Sequence, residues 1–309
     1  MNIAFIGFGK MGSNLALQVL EKSDATVLAY DTNKEILDEF RENEGKSYSN
    51  LVVYNDFQKF VLEIQANDIV FVLVPHGQIT TDVLTQLVEQ LPRDVYVIEG
   101  GNSNYKEAIE WSEKFENSNK YFLDMGTSGG IQGARNGMCA MIGGNKEAFE
   151  KIEPFLKTLC CEDGLLYAGP AGSGHFLKMV HNGIEYGMMQ SIAEGFDVLE
   201  NSQYDFDYQK VAQLWNGGSV IRSWLIELLI DVFEESPDLG KLKGRMNASG
   251  EAQWLVEEAM KIKTPVPIIA MSLMMRNRSL QDDTFSGKVV SALRNAFGGH
   301  SMEKVNSNG

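Results

Sequence analysis

The chain has 309 residues, 44% hydrophobic and 22% charged, with 27 Lys and Arg against 42 Asp and Glu for a formal charge of −15. That length allows two domains and a large buried core. So acidic a surface repels nucleic acid and anionic membranes, and both are set aside as partners. No apolar run approaches the ~20 residues needed to span a bilayer, and the first strand begins just after Met1 with no basic leader. The three cysteines, Cys139, Cys160 and Cys161, give neither a disulfide framework nor metal-ligand spacing. A cytoplasmic protein with idle thiols is expected.

Six short runs rich in Val, Ile, Phe and Tyr read as strands: NIAFIG (2–7), TVLAYD (26–31), DIVFVLVP (68–75), DVYVIEGG (94–101), YFLDMG (121–126) and CAMIGG (139–144). Near-continuous apolar strands separated by helical stretches predict a doubly wound α/β domain, a parallel sheet covered on both faces. Beyond about residue 165 the alternation stops and long helix-compatible segments follow, at 171–200, 207–216, 220–234, 250–262, 266–281 and 284–297. The Gly- and Pro-punctuated LLYAGPAGSG (165–174) marks the change. The expected division is therefore a Rossmann-type dinucleotide-binding domain over 1–168 and an all-α domain over 169–309.

GFGKMG, Gly7 to Gly12, joins the first strand to the first helix. Gly7 permits the tight turn, Gly9 lets the backbone approach a pyrophosphate, and Gly12 allows close helix–strand packing. The helix N-terminus then offers free N–H groups to phosphate. Asp31 ends the next strand, where a carboxylate accepts from a ribose diol and repels a 2′-phosphate. NAD is therefore expected rather than NADP. The alternative for Asp31 is a cap on the following helix.

Two further glycine-rich turns follow strands at the ligand-binding edge of such a sheet. EGGNSNY (99–105) offers Asn102 and Ser103, and DMGTSGGIQGARNG (124–137) offers Ser128, Gly129 and Gly130. On the helix that follows, GHFLKMVHNGIEYG (174–187) carries Lys178, His181, Asn182, Glu185 and Tyr186. Their spacing places them within an arc of roughly 140° at 100° per residue. A solvated polar face is the plain alternative. Such faces are usually repetitive in Glu and Lys, however, and this one carries five different chemistries.

These stretches, with VIRSW (220–224) and LRNAFGGH (293–300), resemble the decarboxylating 6-phosphogluconate dehydrogenases, and among them the short, NAD-preferring forms. The resemblance implies oxidation of 6-phosphogluconate at carbon 3, then loss of carbon 1 as carbon dioxide to leave ribulose 5-phosphate, the reaction of the pentose phosphate route. It implies Lys178 as the base that takes the hydroxyl proton and Glu185 as the acid that protonates carbon 1, with no metal. NAD would be held by Gly7, Phe8, Gly9, Lys10, Met11, Gly12, Asp31, Val74 and Asn102. Asn102, Ser128, Gly129, Gly130, His181 and Asn182 would position the sugar acid. Tyr186 and Arg222 would meet its phosphate, together with Arg294 and His300 from a tail inserted into the neighbouring subunit of a homodimer or higher homo-oligomer. Two departures stand out: longer members duplicate a helical block, and they carry a lysine in a Gly-rich turn. Here that turn reads NASGEAQW (247–254), without a basic residue.

Overall fold

The computed structural model describes residues 1–303 as two compact units, one ending at Asn182 and the other beginning at Gly183. In the first unit β1 (Asn2–Ile6), α1 (Lys10–Lys22), β2 (Thr26–Tyr30), α2 (Lys34–Asn43), β3 (Leu51–Tyr54) and α3 (Phe57–Leu62) come first. They are followed by β4 (Ile69–Val72), α4 (Gln78–Gln90), β5 (Tyr96–Glu99), α5 (Tyr105–Asn117), β6 (Tyr121–Ser128), α6 (Gly130–Asn136), β7 (Met138–Gly144), α7 (Lys146–Leu159) and β8 (Cys160–Gly169). The strand order is β3-β2-β1-β4-β5-β6-β7-β8, so the direction of winding reverses between β1 and β4. Crevices at such a switch point are where dinucleotides bind.

Alternation along the strands builds a core on each face. Ile3 and Phe5 of β1 and Ile69 and Phe71 of β4 belong to one apolar layer, while Ala4, Ile6, Val70 and Val72 belong to the other. All eight are essentially inaccessible to solvent, at about 1.5–3 kcal/mol for each large side chain so buried. Burial on both faces explains why these runs read as unbroken apolar stretches.

The sheet departs from the expected one in three respects. β3 and β8 lie outside the six expected runs. β1 to β6 are mutually parallel, but β7 runs antiparallel to β6, with β8 parallel to β7. The connection over 129–137 is shorter than the dozen or so residues that a parallel crossover requires, so the chain turns back beside β6.

The long helix α8 (Ser173–Glu200) would be about 42 Å long at 1.5 Å per residue. The division between units falls within it rather than at the turn near 168, because its first turns pack directly on the sheet. A Cβ at Gly174 would stand 2.5 Å from the carbonyl oxygens of both Asp124 and Met141. Beyond it come α9 (Tyr208–Gly218), α10 (Trp224–Glu235), α11 (Gly250–Lys261), α12 (Pro267–Ser279) and α13 (Phe285–Gly298), close to the five expected segments. Phe196, Ala212, Ile226 and Phe233 form the core joining α8, α9 and α10. No helix among the described residues is long and apolar enough to cross a membrane. The three cysteines are free.

Candidate active site

The turn after β1 has the geometry its glycines allow. Gly7 adopts φ +90°, and a Cβ there would lie 2.6 Å from the Leu73 carbonyl oxygen. A Cβ at Gly12 would lie 2.1 Å from the Gly7 carbonyl oxygen, whereas at Gly9 it would meet nothing within 4 Å. The first and third glycines thus serve packing, and the second leaves open space at the N-terminus of α1, as a pyrophosphate requires. Phe8 differs from its neighbours: its side chain is wholly buried against Phe40, so the turn presents only its backbone. Lys10 is exposed and Met11 half-buried.

Asp31 does not cap α2. Asn33 does, accepting the Glu35 N–H at 2.9 Å. Asp31 instead reaches back to the glycine turn, where Oδ2 accepts the Phe8 N–H at 2.7 Å while Oδ1 accepts the Asn33 N–H at 2.8 Å. The carboxylate therefore ties the phosphate turn to the end of β2.

After β4, Leu73 and Val74 fill the space between two glycine turns. The Leu73 N–H donates to the Ile6 carbonyl at 2.8 Å, and a Cβ on Gly101 would stand 2.3 Å from the Val74 carbonyl oxygen. Asn102 holds a left-handed φ of +58°, and its Oδ1 is buried without a hydrogen-bond partner among the described residues. Strained backbone and an orphaned polar atom together are typical of ligand-binding positions. The open space at Gly9, the Asp31 carboxylate and this amide fit a dinucleotide.

The expected polar stripe of α8 is not solvated. Lys178, Asn182 and Tyr186 are 8%, 9% and 5% exposed, whereas Ile184 and Met188 of the same helix are 53% and 42% exposed. In the first unit the stripe meets the turn after β6. His181 Nε2 lies 3.1 Å from Ser128 Oγ, and His181 Nδ1 lies 3.2 Å from Asn182 Oδ1 and 3.4 Å from Lys178 Nζ. His181 thus links Ser128 on β6 to Lys178 and Asn182 on the helix. The helix approaches so closely because Gly126 has no side chain. Gly129 and Gly130 continue the turn at φ +107° and +56°, and Gly130 has open space where a Cβ would stand.

In the second unit Tyr186 is enclosed by residues the sequence did not single out. Its hydroxyl lies 3.1 Å from Ser249 Oγ and accepts the Ser249 N–H at 3.0 Å, just before α11. The Arg276 guanidinium lies 3.4 Å from the Tyr186 ring centroid and donates to the Asn247 carbonyl at 3.1 Å. A cation thus stands beside the turn that lacked one in the sequence. Arg222 lies exposed between α9 and α10, and the recorded partners of Tyr186 are Ser249 and Arg276. Arg294 is on the outer surface of α13, and the exposed His300 follows that helix, its carbonyl accepting from Asn295.

A doubly wound sheet, an open phosphate turn with a carboxylate at the end of β2, and a lysine-bearing helix against the substrate edge define a dinucleotide-dependent dehydrogenase. Residues 2–163 match the pattern described as the NAD binding domain of 6-phosphogluconate dehydrogenase, and residues 174–285 and 200–309 match the C-terminal domain of the same enzyme. The chain belongs to the 6-phosphogluconate dehydrogenase family. It is 50% identical to YqeC of Bacillus subtilis (strain 168), whose name as a 6-phosphogluconate dehydrogenase is itself provisional, over 98% of this chain and 100% of that one. It is 35% identical to an NAD(+)-dependent, decarboxylating 6-phosphogluconate dehydrogenase of Haloferax volcanii, over 98% and 99% of the two chains. The Plasmodium falciparum 6-phosphogluconate dehydrogenase, solved with NADP+ and with its substrate, superposes with a TM-score of 0.82 at 25% identity, covering all of this chain and 67% of that one.

Proposed function

We propose that the protein oxidises and decarboxylates 6-phosphogluconate to ribulose 5-phosphate and carbon dioxide with NAD as acceptor, as a cytoplasmic enzyme of the pentose phosphate route. The observation carrying this reading is the inverted helix: α8 buries Lys178, Asn182 and Tyr186 while exposing Ile184 and Met188. Burying such groups is unfavourable unless they are hydrogen-bonded; here they are, Lys178 and Asn182 through His181 and Tyr186 through Ser249, which holds them in place for a substrate. Gly7, Gly9 and Gly12 hold the dinucleotide with Asp31, Val74 and Asn102, and when bound the nicotinamide supplies the hydride acceptor. The hydrogen bond that Asp31 accepts at the glycine turn keeps its carboxylate there and favours NAD, since a 2′-phosphate would meet that carboxylate.

For its part, Lys178 begins as a neutral amine and takes the carbon 3 hydroxyl proton as hydride leaves. The ammonium so formed stabilises negative charge developing on the carbon 3 oxygen as the β-keto acid loses carbon dioxide. Glu185, seven residues on along the helix, returns a proton to carbon 1. Ser128, Gly129, Gly130, His181 and Asn182 orient the acid and its hydroxyls. At the phosphate end Tyr186, Arg222 and Ser249 are joined by Arg276, which supplies the charge missing from the turn at 247–254.

The working form is a homodimer or larger, in which Arg294 and His300 complete a neighbour's site. In support, α13 has no buried residue, and its Leu293 and Phe297 are 57% and 78% exposed, an apolar surface that a second copy would cover.

The test is to incubate the protein with 6-phosphogluconate and NAD and to follow NADH and carbon dioxide together. Equal yields are expected. NADH without carbon dioxide would point to a non-decarboxylating β-hydroxyacid dehydrogenase, and neither product from folded protein would refute the reading. Lys178→Ala should abolish NADH formation, whereas Glu185→Ala should slow chiefly the later steps.

A further inference from the structure

Two carboxylates that the mechanism leaves unused sit side by side on neighbouring strands, one at the end of β5 and one midway along β6. Glu99 closes β5 and Asp124 is its partner in the β5–β6 ladder; they are 1% and 0% exposed. Both reach the beginning of α8. Asp124 accepts the Gly172 N–H on Oδ1 at 2.7 Å and the His175 N–H on Oδ2 at 2.8 Å. It thereby satisfies donors that no helical carbonyl can reach, at the positive end of the helix dipole.

Glu99 engages the same helical turn by a side chain. Its Oε2 lies 2.6 Å from His175 Nε2, while its Oε1 accepts the Gly101 N–H at 2.6 Å. One carboxylate therefore spans from the turn carrying Asn102 to a residue one helical turn before Lys178. His175 Nδ1 has no hydrogen-bond partner among the described residues, so Glu99 is the group that orients the ring. Burial opposes charge on both partners. Their mutual attraction and hydrogen bond prevail, helped on Glu99 by the Gly101 amide and on His175 by the fields of Asp124 and Glu107. Glu99 is held below and His175 above its ordinary range.

A buried ion pair is an inefficient stabiliser, because desolvation can cancel the attraction and an apolar pair of similar volume often does as well. The connectivity points to another purpose. We propose that Glu99 and His175 are positioning residues, locking the Asn102 turn to the head of α8 and so fixing Lys178 relative to Asn102. The proposal rests on Lys178 being the base of the reaction.

The test uses the full-length protein and the double variant Glu99→Leu/His175→Leu, which removes both charges together and keeps the site filled. If the pair positions Lys178, the double variant melts within a few degrees of the parent while kcat falls about tenfold or more. The pH dependence of Lys178 acetylation by acetic anhydride, read by mass spectrometry, shifts. Glu99→Gln, which can still accept from Gly101 and donate to a neutral His175, recovers most of kcat. A double variant with parental kcat and parental Lys178 labelling overturns the proposal, and so does one whose losses are confined to melting temperature. Because the labelling needs no substrate, a parent inactive on 6-phosphogluconate would sink the functional reading and leave this test intact.

Discussion

Gly126 offers the sharpest test of how closely the base must be placed. A Cβ added there would stand 2.3 Å from Lys178 Cβ and 3.0 Å from the Gly174 carbonyl oxygen. Carbon atoms rest comfortably near 3.5–4.0 Å, so Gly126→Ala requires one backbone to give by roughly 1 Å. β6 is paired on both sides, by β5 and by β7, and cannot easily yield, so the displacement falls on α8 and carries Lys178 with it. Overpacking of this kind costs about 1–3 kcal/mol. In a domain of this size each kcal/mol lowers Tm by about 2–4 °C. A displacement of about 1 Å at a reacting group costs on the order of 100-fold in rate.

The expected outcome is a folded enzyme melting a few degrees lower, with kcat for NADH formation down by about two orders of magnitude. Its NAD dissociation constant should stay close to the parent's, because the β1 turn is untouched. Steady-state kinetics, calorimetric melting and NAD titration read the three quantities. A Gly126→Ala enzyme with lowered Tm and parental kcat would refute the reasoning, since Lys178 would then tolerate displacement.

Three further outcomes follow from the same geometry. Asp31→Ala loses two charge-assisted hydrogen bonds to backbone N–H groups, each worth about 1.5–3 kcal/mol; KM for NAD should rise at least tenfold and discrimination against NADP should narrow. Kinetics with both cofactors would contradict this if the ratio held. Arg276→Ala should raise KM for 6-phosphogluconate more than tenfold with a smaller effect on kcat, and Arg276→Lys should recover little, because an ammonium cannot reproduce the planar stack on Tyr186; parental KM in the alanine variant would remove Arg276 from the phosphate site. The third concerns pH. Glu99, lowered on folding, contributes stability that is present above its unfolded pKa and lost as pH falls through the depressed folded value. His175, raised on folding, contributes stability that is present below its unfolded pKa and lost as pH rises through the elevated folded value. Urea midpoints should therefore decline on both sides of the interval where both are charged, and the Glu99→Leu/His175→Leu profile should be flatter; identical profiles would show that the pair contributes nothing to this dependence.

Much of this was legible in the sequence, and what was not has physical reasons. The buried central strands announce themselves because both faces are apolar. LVVY at 51–54 is a four-residue edge strand with half-exposed sides, and residues 160–169 form the opposite edge, exposed through Cys161, Glu162 and Asp163 and broken by a register shift. Neither carries the continuous apolar signal of a covered strand. In the site, the α8 stripe was readable from spacing alone. Arg276 was not, since in sequence it is one of two arginines in the last turn of α12, where basic residues ordinarily answer the helix dipole. Glu99 was hidden for a similar reason, because a carboxylate before glycine reads first as turn chemistry.

The inversion of α8 links these observations. Over residues 178–188 the helix hides Lys178, Asn182 and Tyr186 and shows Ile184 and Met188, against the usual binary pattern, and such conflicts between local rule and fold are expected at functional sites. In the first unit the buried groups are held by Ser128, Asn182 and the carboxylates of Glu99 and Asp124 on β5 and β6; in the second, by Ser249 and Arg276. Glycines at 126, 174 and 183 remove the side chains that would keep the helix at an ordinary distance: a Cβ at Gly183 would stand 2.2 Å from Leu255 Cδ2. At 126 and 174 backbone approach thus sets where the first turns of the helix lie on the sheet. Polar anchors and absent side chains define a position more sharply than a greasy contact does, since hydrogen bonds fail within a few tenths of an ångström whereas methyl groups can slide. The proposed base and acid on this helix need that kind of placement, and Ile184 and Met188 are left exposed on the side facing away from Lys178, Asn182 and Tyr186.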